Sequence, residues 1–469
     1  MREKLPFKVG ITAISILIVI ITFLIPTPEG LAFEGKMLLG ILVACVVMWI
    51  CEPIPIVVTA WAFAAAVPLM GILSSNETWM SGVSVAMIVC LPCFAFALFV
   101  QYSSISLRII AFILKWAKND SKKVLAGLML ATALLSLIID DLVLVLVMLP
   151  FAYRILDENK TPWGNKSNLA KALVLGIAFA SYIGGWITPV GSVVNTLAMG
   201  FAEQAFGITV TFANWMVLGI IMNIILLPLS WFVIVKIFKP EPISDEAIER
   251  IQKERAEISG FGKDEIWGML VIVVTLGLWI AGSWVPQLDM TVIGLFALFL
   301  MFLPPFKCVS FKKWCDESPW SVVMLNWAVG CFVAGFIATG AMVWLVNTAF
   351  APLLGLPVVV VMILVAAFAC VIHNILPAGA AVAGLITIPV CGLVISLGGN
   401  VTAAIFMCAV FSSAAFLLPL DLCVYVAYAS ERKYFSPFDE LKVGWIPSIA
   451  AILMVSIVLP LVCTAMGLA

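Results

Sequence analysis

Residues 124–153 read VLAGLMLATALLSLIIDDLVLVLVMLPFAY, an apolar stretch of about 30 residues with Asp140-Asp141 near its centre. Lys122 and Lys123 stand in front of it and Arg154 behind it. Basic residues beside a hydrophobic segment stay on the cytoplasmic side of a membrane, so both ends of this stretch lie on one side. A single crossing fails that condition. A helical hairpin that enters from the cytoplasm and turns near the midplane meets it. Residues 356–390 form a second stretch of similar length, interrupted by Pro377-Ala378-Gly379, in a region between Lys313 and Arg432 with no basic residue other than His373. It reads as a hairpin entering from outside. Two hairpins from opposite faces are the mark of an inverted repeat, the architecture of many secondary transporters.

The surrounding composition is that of a polytopic membrane protein. Of 469 residues, 64% are hydrophobic and 11% charged, against roughly 25% charged in soluble domains. Apolar runs long enough for a ~30 Å hydrocarbon core recur from end to end. A net charge of -1 leaves no basic face for nucleic acid. No GxxxxGK[ST] loop is present to power a pump with ATP. Most of the 12 cysteines lie within apolar segments and read as small buried hydrophobes. Placing the 25 Lys and Arg on the cytoplasmic side, with Lys36 alone outside, threads about eleven spans. The N-terminus is then cytoplasmic and the C-terminus outside, in a cell (inner or plasma) membrane. The first run, Val9–Ile25, lacks a small-residue cleavage site and reads as a retained helix rather than a signal peptide.

The expected fold is all-α and multi-pass: about eleven transmembrane helices plus two re-entrant hairpins. Its units are a first helix (1–35), a first repeat (36–240), a cytoplasmic linker (241–263) and a second repeat (264–469). The first repeat holds hairpin 124–153 and a broken helix at 171–206; the second holds hairpin 356–390 and a broken helix at 402–430. The breaks are visible as Gly184-Gly185-Trp186-Ile187-Thr188-Pro189-Val190-Gly191-Ser192 and as Leu418-Pro419-Leu420-Asp421. Irregular backbone at membrane depth persists only where it lines protein or a wet cavity. Two tips and two breaks therefore point to one shared site, although any one of them alone would read as an ordinary kink. Pro240–Lys263 reads as a solvated linker with a short surface helix after Ser244-Asp245-Glu246.

Several further pieces recur in a recognisable order. They are Glu52-Pro53-Ile54-Pro55-Ile56-Val57-Val58-Thr59, Met148-Leu149-Pro150, Gly184-Gly185 leading to Gly191-Ser192-Val193-Val194-Asn195, Thr275-Leu276-Gly277-Leu278-Trp279, Ser412 to Pro419, and Lys442-Val443-Gly444. Over nearly the whole chain this order resembles the divalent anion/sodium symporter family, the dicarboxylate, citrate and sulfate carriers. That family carries Ser-Asn-Thr at each hairpin tip and a Thr-Pro-Pro-Asn-like loop in each broken span. The resemblance implies that each tip and loop clasp one Na⁺ and one end of a dicarboxylate. It also implies an elevator motion of the hairpin-bearing domain and a homodimer built on the other spans. Carried over, the first tip becomes Asp140-Asp141-Leu142 and its loop Ser192-Val193-Val194-Asn195. The second tip becomes Gly379-Ala380-Ala381 and its loop Leu422-Cys423-Val424-Tyr425. The implied solute contacts are Asp141, Leu142, Ser192, Asn195, Gly379, Ala380, Ala381 and Leu422. The implied coupling-ion residues are Ser136, Asp140, Asp141 and Gly191 in the first repeat, with Ala378 and Asp421 in the second. The signature is half kept in the first repeat and almost absent from the second.

Asp140, Asp141 and Asp421 are the carboxylates placed near the bilayer centre, where each costs roughly 2.5–3.5 kcal/mol. Such a cost argues for function; the plainer reading is that one of them only caps a half-helix. Carboxylates and freed carbonyls suit a hard cation such as Na⁺, while buried acids also suit proton exchange. Sodium is the expected coupling ion, H⁺ the alternative, and no organic cofactor is called for. With no Lys or Arg near the tips, an anion would rest on half-helix N-termini, each worth about +0.5 charge, on Ser192 and Asn195, and on bound cations. Three ionised acids repel a dianion, which keeps a zwitterionic or amine-bearing solute in play. Trp186 and Trp327 read as aromatic walls or as packing, and His373, the sole histidine, as packed rather than as a ligand. The expected function is ion-coupled secondary transport of a small polar solute, by resemblance a di- or tricarboxylate. Sodium/proton exchange is one alternative. Intramembrane hydrolysis is a remote one, since neither Asp141 nor Asp421 carries a Gly-x-Gly-Asp signature.

Overall fold

The computed structural model describes residues 5–257, 260–376, 378–419 and 421–468. Pro377 and Leu420, which the sequence puts in two of the breaks, lie outside the described residues, as does the side chain of Leu422. The described chain is helical, with no strand in it. Among the described residues ten helices are long and apolar enough to cross a membrane, and three shorter apolar ones span Ile56–Leu69, Met290–Met301 and Val401–Ser413. Length and hydropathy count both arms of the second hairpin among the ten and neither arm of the first. Lys36, the basic residue left on the outer side by charge placement, is buried and donates to Ile25 O at 2.7 Å. It satisfies a carbonyl just beyond the C-terminus of helix Leu5–Leu24 instead of reaching for water.

Both stretches singled out in the sequence are pairs of helices. The first pair is Ser121–Leu135 and Asp141–Glu158, longer at both ends than 124–153. Asp120 opens it, its carboxylate accepting from Lys122 N at 3.0 Å. At Asp140 the backbone turns to φ -52°, ψ 138°, which ends one helix and starts the next. The second pair is Val358–Ile375 and Gly379–Ser396. The broken helices are Asn168–Gly185 with Val193–Phe206, and Val401–Ser413 with Leu422–Tyr428. Almost every residue of Asn168–Gly185 and all of Val401–Ser413 are buried, so the core of the molecule runs along these two helices. Cys90 and Cys93, in C-x-x-C spacing, are buried free thiols of helix Val85–Tyr102.

Gly191 is what lets the first break fold onto the first tip. A Cβ there would stand 2.4 Å from Ser136 O and 2.6 Å from Gly185 O, both backbone atoms that cannot swing away. Gly191→Ala is expected to destabilise the protein by about 1–3 kcal/mol or more, read as a lowered melting temperature in detergent. Gly200→Ala, in the same region but with nothing near its Cβ, is the control and should melt like the parent.

The segment 241–263 departs from the expectation of a solvated linker. Helix Asp245–Glu257 buries Ala247 and Ile251. With Ile243 they recur every fourth residue, a one-sided apolar stripe that the charge pattern masks in the sequence. Ile243 N donates to Asn119 O at 3.2 Å and Ser244 N to Asn159 Oδ1 at 2.8 Å. The segment is docked across both outer ends of the first hairpin. A second tie joins distant parts of the chain. The Arg432 guanidinium donates to Asp157 Oδ2 at 2.9 Å and lies 4.5 Å over the Tyr153 ring. Lys171 pairs with Asp439 at 3.1 Å.

Candidate functional site

The four chain breaks meet. Thr188 in the first break donates to Leu137 O in the first tip at 2.6 Å, and its hydroxyl accepts from Gly191 N at 2.9 Å. Ser136 donates to Ser181 O at 3.0 Å, and Ser181 donates to Asp141 O at 2.7 Å. In the second half Asn374 plays the comparable role: its Oδ1 accepts from Leu418 N at 3.0 Å, holding the second break against the second tip. Trp186 Nε1 donates to Ser413 Oγ at 2.6 Å and ties one break to the other. Unwound backbone would leave polar groups unpaired in a dry interior; here the breaks satisfy one another.

Between them lies a cavity of about 240 Å³. Asp140, Asp141, Leu142 and Ser192 line it from the first hairpin and broken helix, and Ala378, Gly379, Ala380 and Asp421 from the second pair. No Lys or Arg lines it among the described residues. Val193 and Val194 of the first loop and Ser412, Ser413 and Cys423 of the second broken helix complete those two sides. The remaining wall comes from elements that the sequence leaves out of the site, at Ile56 and Val57 and at Ser321, Val322, Leu325 and Asn326. Asn326 had a legible signal, being the one amide in an otherwise apolar span.

Each acid sits at the N-terminus of a half-helix. Asp140 Oδ2 accepts from Val193 N at 3.0 Å, so it caps a helix 53 residues further along the chain. Asp141 Oδ1 accepts from Leu142 N at 2.9 Å. Asp421 Oδ1 accepts from Cys423 N at 3.0 Å and from the Tyr182 hydroxyl, while its Oδ2 stands 3.3 Å from His373 Nε2. Tyr182 and His373 are both fully buried. The anion-attracting ends that the sequence would offer to a solute are thus, for these three helices, already engaged by the protein's own carboxylates.

Four expected site residues are not on the cavity wall: Ser136, Gly191, Asn195 and Ala381. Asn195 is fully buried, with Nδ2 donating to Gly185 O at 2.8 Å and Thr188 O at 2.9 Å. Its Oδ1 has no partner among the described residues. The carbonyls of Ser136 and Gly185 crowd Gly191. Trp186 is buried against Phe416, and Trp327 packs on Trp61 and donates to Trp79 O at 2.8 Å. Neither faces the cavity.

Known proteins bear on the same architecture. The chain is 26% identical over 350 residues to the sodium-dependent dicarboxylate transporter SdcS of Staphylococcus saprophyticus, covering 70% of this chain and 67% of that one. It is 26% identical over 368 residues to SdcS of Staphylococcus aureus, strain bovine RF122 / ET3-1, covering 73% and 71%. Among solved structures, the Alcanivorax borkumensis YdaH transporter, described as having an unusual topology, superposes with a TM-score of 0.54 over 85% of this chain and 88% of that one. At 14% identity that likeness speaks for the fold alone. The citrate transporter family matches residues 46–418, from the second helix through both hairpins to the last break. A match of that extent, over a helical fold whose breaks meet at one cavity, means that the chain belongs to the citrate transporter family and is a membrane transporter, not an enzyme.

Proposed function

We propose that the protein is a Na⁺-coupled secondary transporter of a small carboxylate-bearing solute. The observation that carries this reading is the cavity itself: four helix breaks around one small-molecule space, with three carboxylates and, among the described residues, no Lys or Arg on its wall. A coupled carrier needs a place for a cation as well as for the solute. The relatives' sodium dependence favours Na⁺ over H⁺. The carbonyls of Ser136 and Gly185 stand close to Gly191, and Asn195 carries a buried Oδ1 with no partner among the described residues, oxygen ligands of the kind a hard cation prefers. Asp421 is a poorer sodium ligand, because both of its oxygens face hydrogen-bond donors or an imidazole. We therefore assign the sodium to the first repeat.

The repetition of hairpin then broken helix, 121–158 with 168–206 and 358–396 with 401–428, favours an inverted repeat. The Arg432–Asp157 and Lys171–Asp439 ties join the first of these units to the segment that follows the second and favour their moving as one body, an elevator against the remaining helices in a homodimer. Solute uptake into proteoliposomes under imposed gradients tests the coupling. An inward Na⁺ gradient should drive accumulation about tenfold above that in K⁺ alone. Uptake driven by a pH gradient and indifferent to Na⁺ would replace sodium by H⁺; no gradient dependence at all would end the reading of a coupled carrier.

A further inference from the structure

Four half-helices point their N-termini at the cavity region, and three are capped by carboxylates: Val193 N by Asp140, Leu142 N by Asp141 and Cys423 N by Asp421. The fourth, Gly379–Ser396, begins at Ala378, with no side-chain cap among the described residues. Ala378, Gly379 and Ala380 line the cavity with their backbone and nothing larger than a methyl group. Of the four, this 18-residue helix is the one whose first N–H groups meet no carboxylate among the described residues, which leaves them for an anion. Two residues of the cavity wall hold a polar atom without a partner. Ser412 and Asn326 line the cavity and are 0% and 1% exposed, and Ser412 Oγ and Asn326 Oδ1 have no hydrogen-bond partner among the described residues. Ser412 adjoins the uncapped end, since a Cβ on Gly379 would meet Ser412 O at 2.3 Å.

A dicarboxylate needs two anion-binding ends, and one is left. Its second carboxylate would have to rest among Asp140, Asp141 and Asp421, with like charge on every side. An ammonium group would instead find acceptors there, including the spare lone pairs of Asn326 Oδ1. We propose that the solute is an amino monocarboxylate. Its carboxylate sits on the N-terminus of Gly379–Ser396 with Ser412, and its ammonium faces the aspartates and Asn326. This inference rests on the reading of the cavity as a carboxylate transport site and names the solute class for it.

The test compares succinate with γ-aminobutyrate, which share one carboxylate and a four-carbon chain and differ at the other end, a carboxylate against an aminomethyl group. Binding is measured by calorimetry on the purified full-length protein in Na⁺, with propylamine as an amine lacking the carboxylate. γ-Aminobutyrate should bind at least tenfold more tightly than succinate. Ala378→Asp, which supplies the missing cap, should weaken γ-aminobutyrate at least tenfold while propylamine, which has no carboxylate to be repelled, binds no more weakly than before. Should that variant not fold, Asp421→Asn is the second arm and should shrink the preference for γ-aminobutyrate at least tenfold. Succinate binding as tightly as γ-aminobutyrate, with Na⁺-driven succinate uptake, overturns the inference and leaves the carboxylate transporter standing. Failure of every solute to bind, together with no Na⁺-driven uptake, overturns both.

Discussion

Asp421→Asn is expected to cut solute accumulation in proteoliposomes by about one to two orders of magnitude in a protein that still folds. Asn matches Asp in shape and is as good a helix cap. Its Oδ1 still accepts from Cys423 N and the Tyr182 hydroxyl, so the seven-residue half-helix Leu422–Tyr428 keeps its start. What is lost is the charge on the cavity wall. A hydrogen bond to a charged group contributes about 1.5–3 kcal/mol, which is roughly a 10–100-fold effect on binding. Tyr182→Phe removes the donor that orients the carboxylate and keeps the charge, so a smaller loss of about three- to tenfold is expected. Unchanged accumulation in Asp421→Asn, with Na⁺ and solute gradients as in the parent, would reduce Asp421 to a cap. The isosteric variant is the informative one, because Asp421→Ala would confound a lost cap with a lost charge.

Much of the architecture is visible in the sequence because membrane insertion leaves marks on individual residues. Lys122, Lys123 and Arg154 flank a stretch with two central aspartates, and the helices found there do turn at Asp140. Gly184-Gly185 to Ser192 marks a break, and Asn168–Gly185 ends at that point. The docking of Asp245–Glu257 was harder to see, because its apolar stripe is interleaved with charges that dominate any average over the segment. The partners inside the site are a different matter. Tyr182 and Asp421 are separated by 239 residues, and helix Asn168–Gly185 is buried on all sides, so no hydrophobic face tells which residues look toward a neighbour. A carboxylate at a hairpin tip reads as an ion ligand. Only the packing reveals that Asp140 caps Val193 on another element. Asn195 misleads for a related reason: it stands in a loop that resembles a solute-binding one, yet its amide is turned inward to hold two carbonyls.

That inward turn leads to the second large effect. Asn195→Ala is expected to abolish the stabilisation of the purified protein by Na⁺. The side chain does two things at once. Its Nδ2 satisfies Gly185 O and Thr188 O, and its Oδ1 is left as a buried acceptor without a donor. An unsatisfied buried acceptor costs about 1–3 kcal/mol, and a cation drawn to it recovers that cost. Truncation removes the ligand, takes the amide donor from Gly185 O and leaves Thr188 O only Gly191 N at 3.3 Å, so basal stability should fall by an amount of the same order. A bound ion stabilises the folded state by RT ln(1 + [L]/Kd), about 2.7 kcal/mol at a hundredfold excess over Kd. The parent's melting temperature should therefore climb with added NaCl and not with choline chloride, and the variant's should stay flat. Asn195→Asp keeps an oxygen at the same place, adds a charge and loses both donors. It should start less stable than the parent yet respond to Na⁺ at least as strongly. That pairing separates the two roles of the amide: a merely structural Asn195 would make both variants unstable and leave the Na⁺ response of each equal to the parent's. A parent protein indifferent to Na⁺ would remove the sodium from this site altogether.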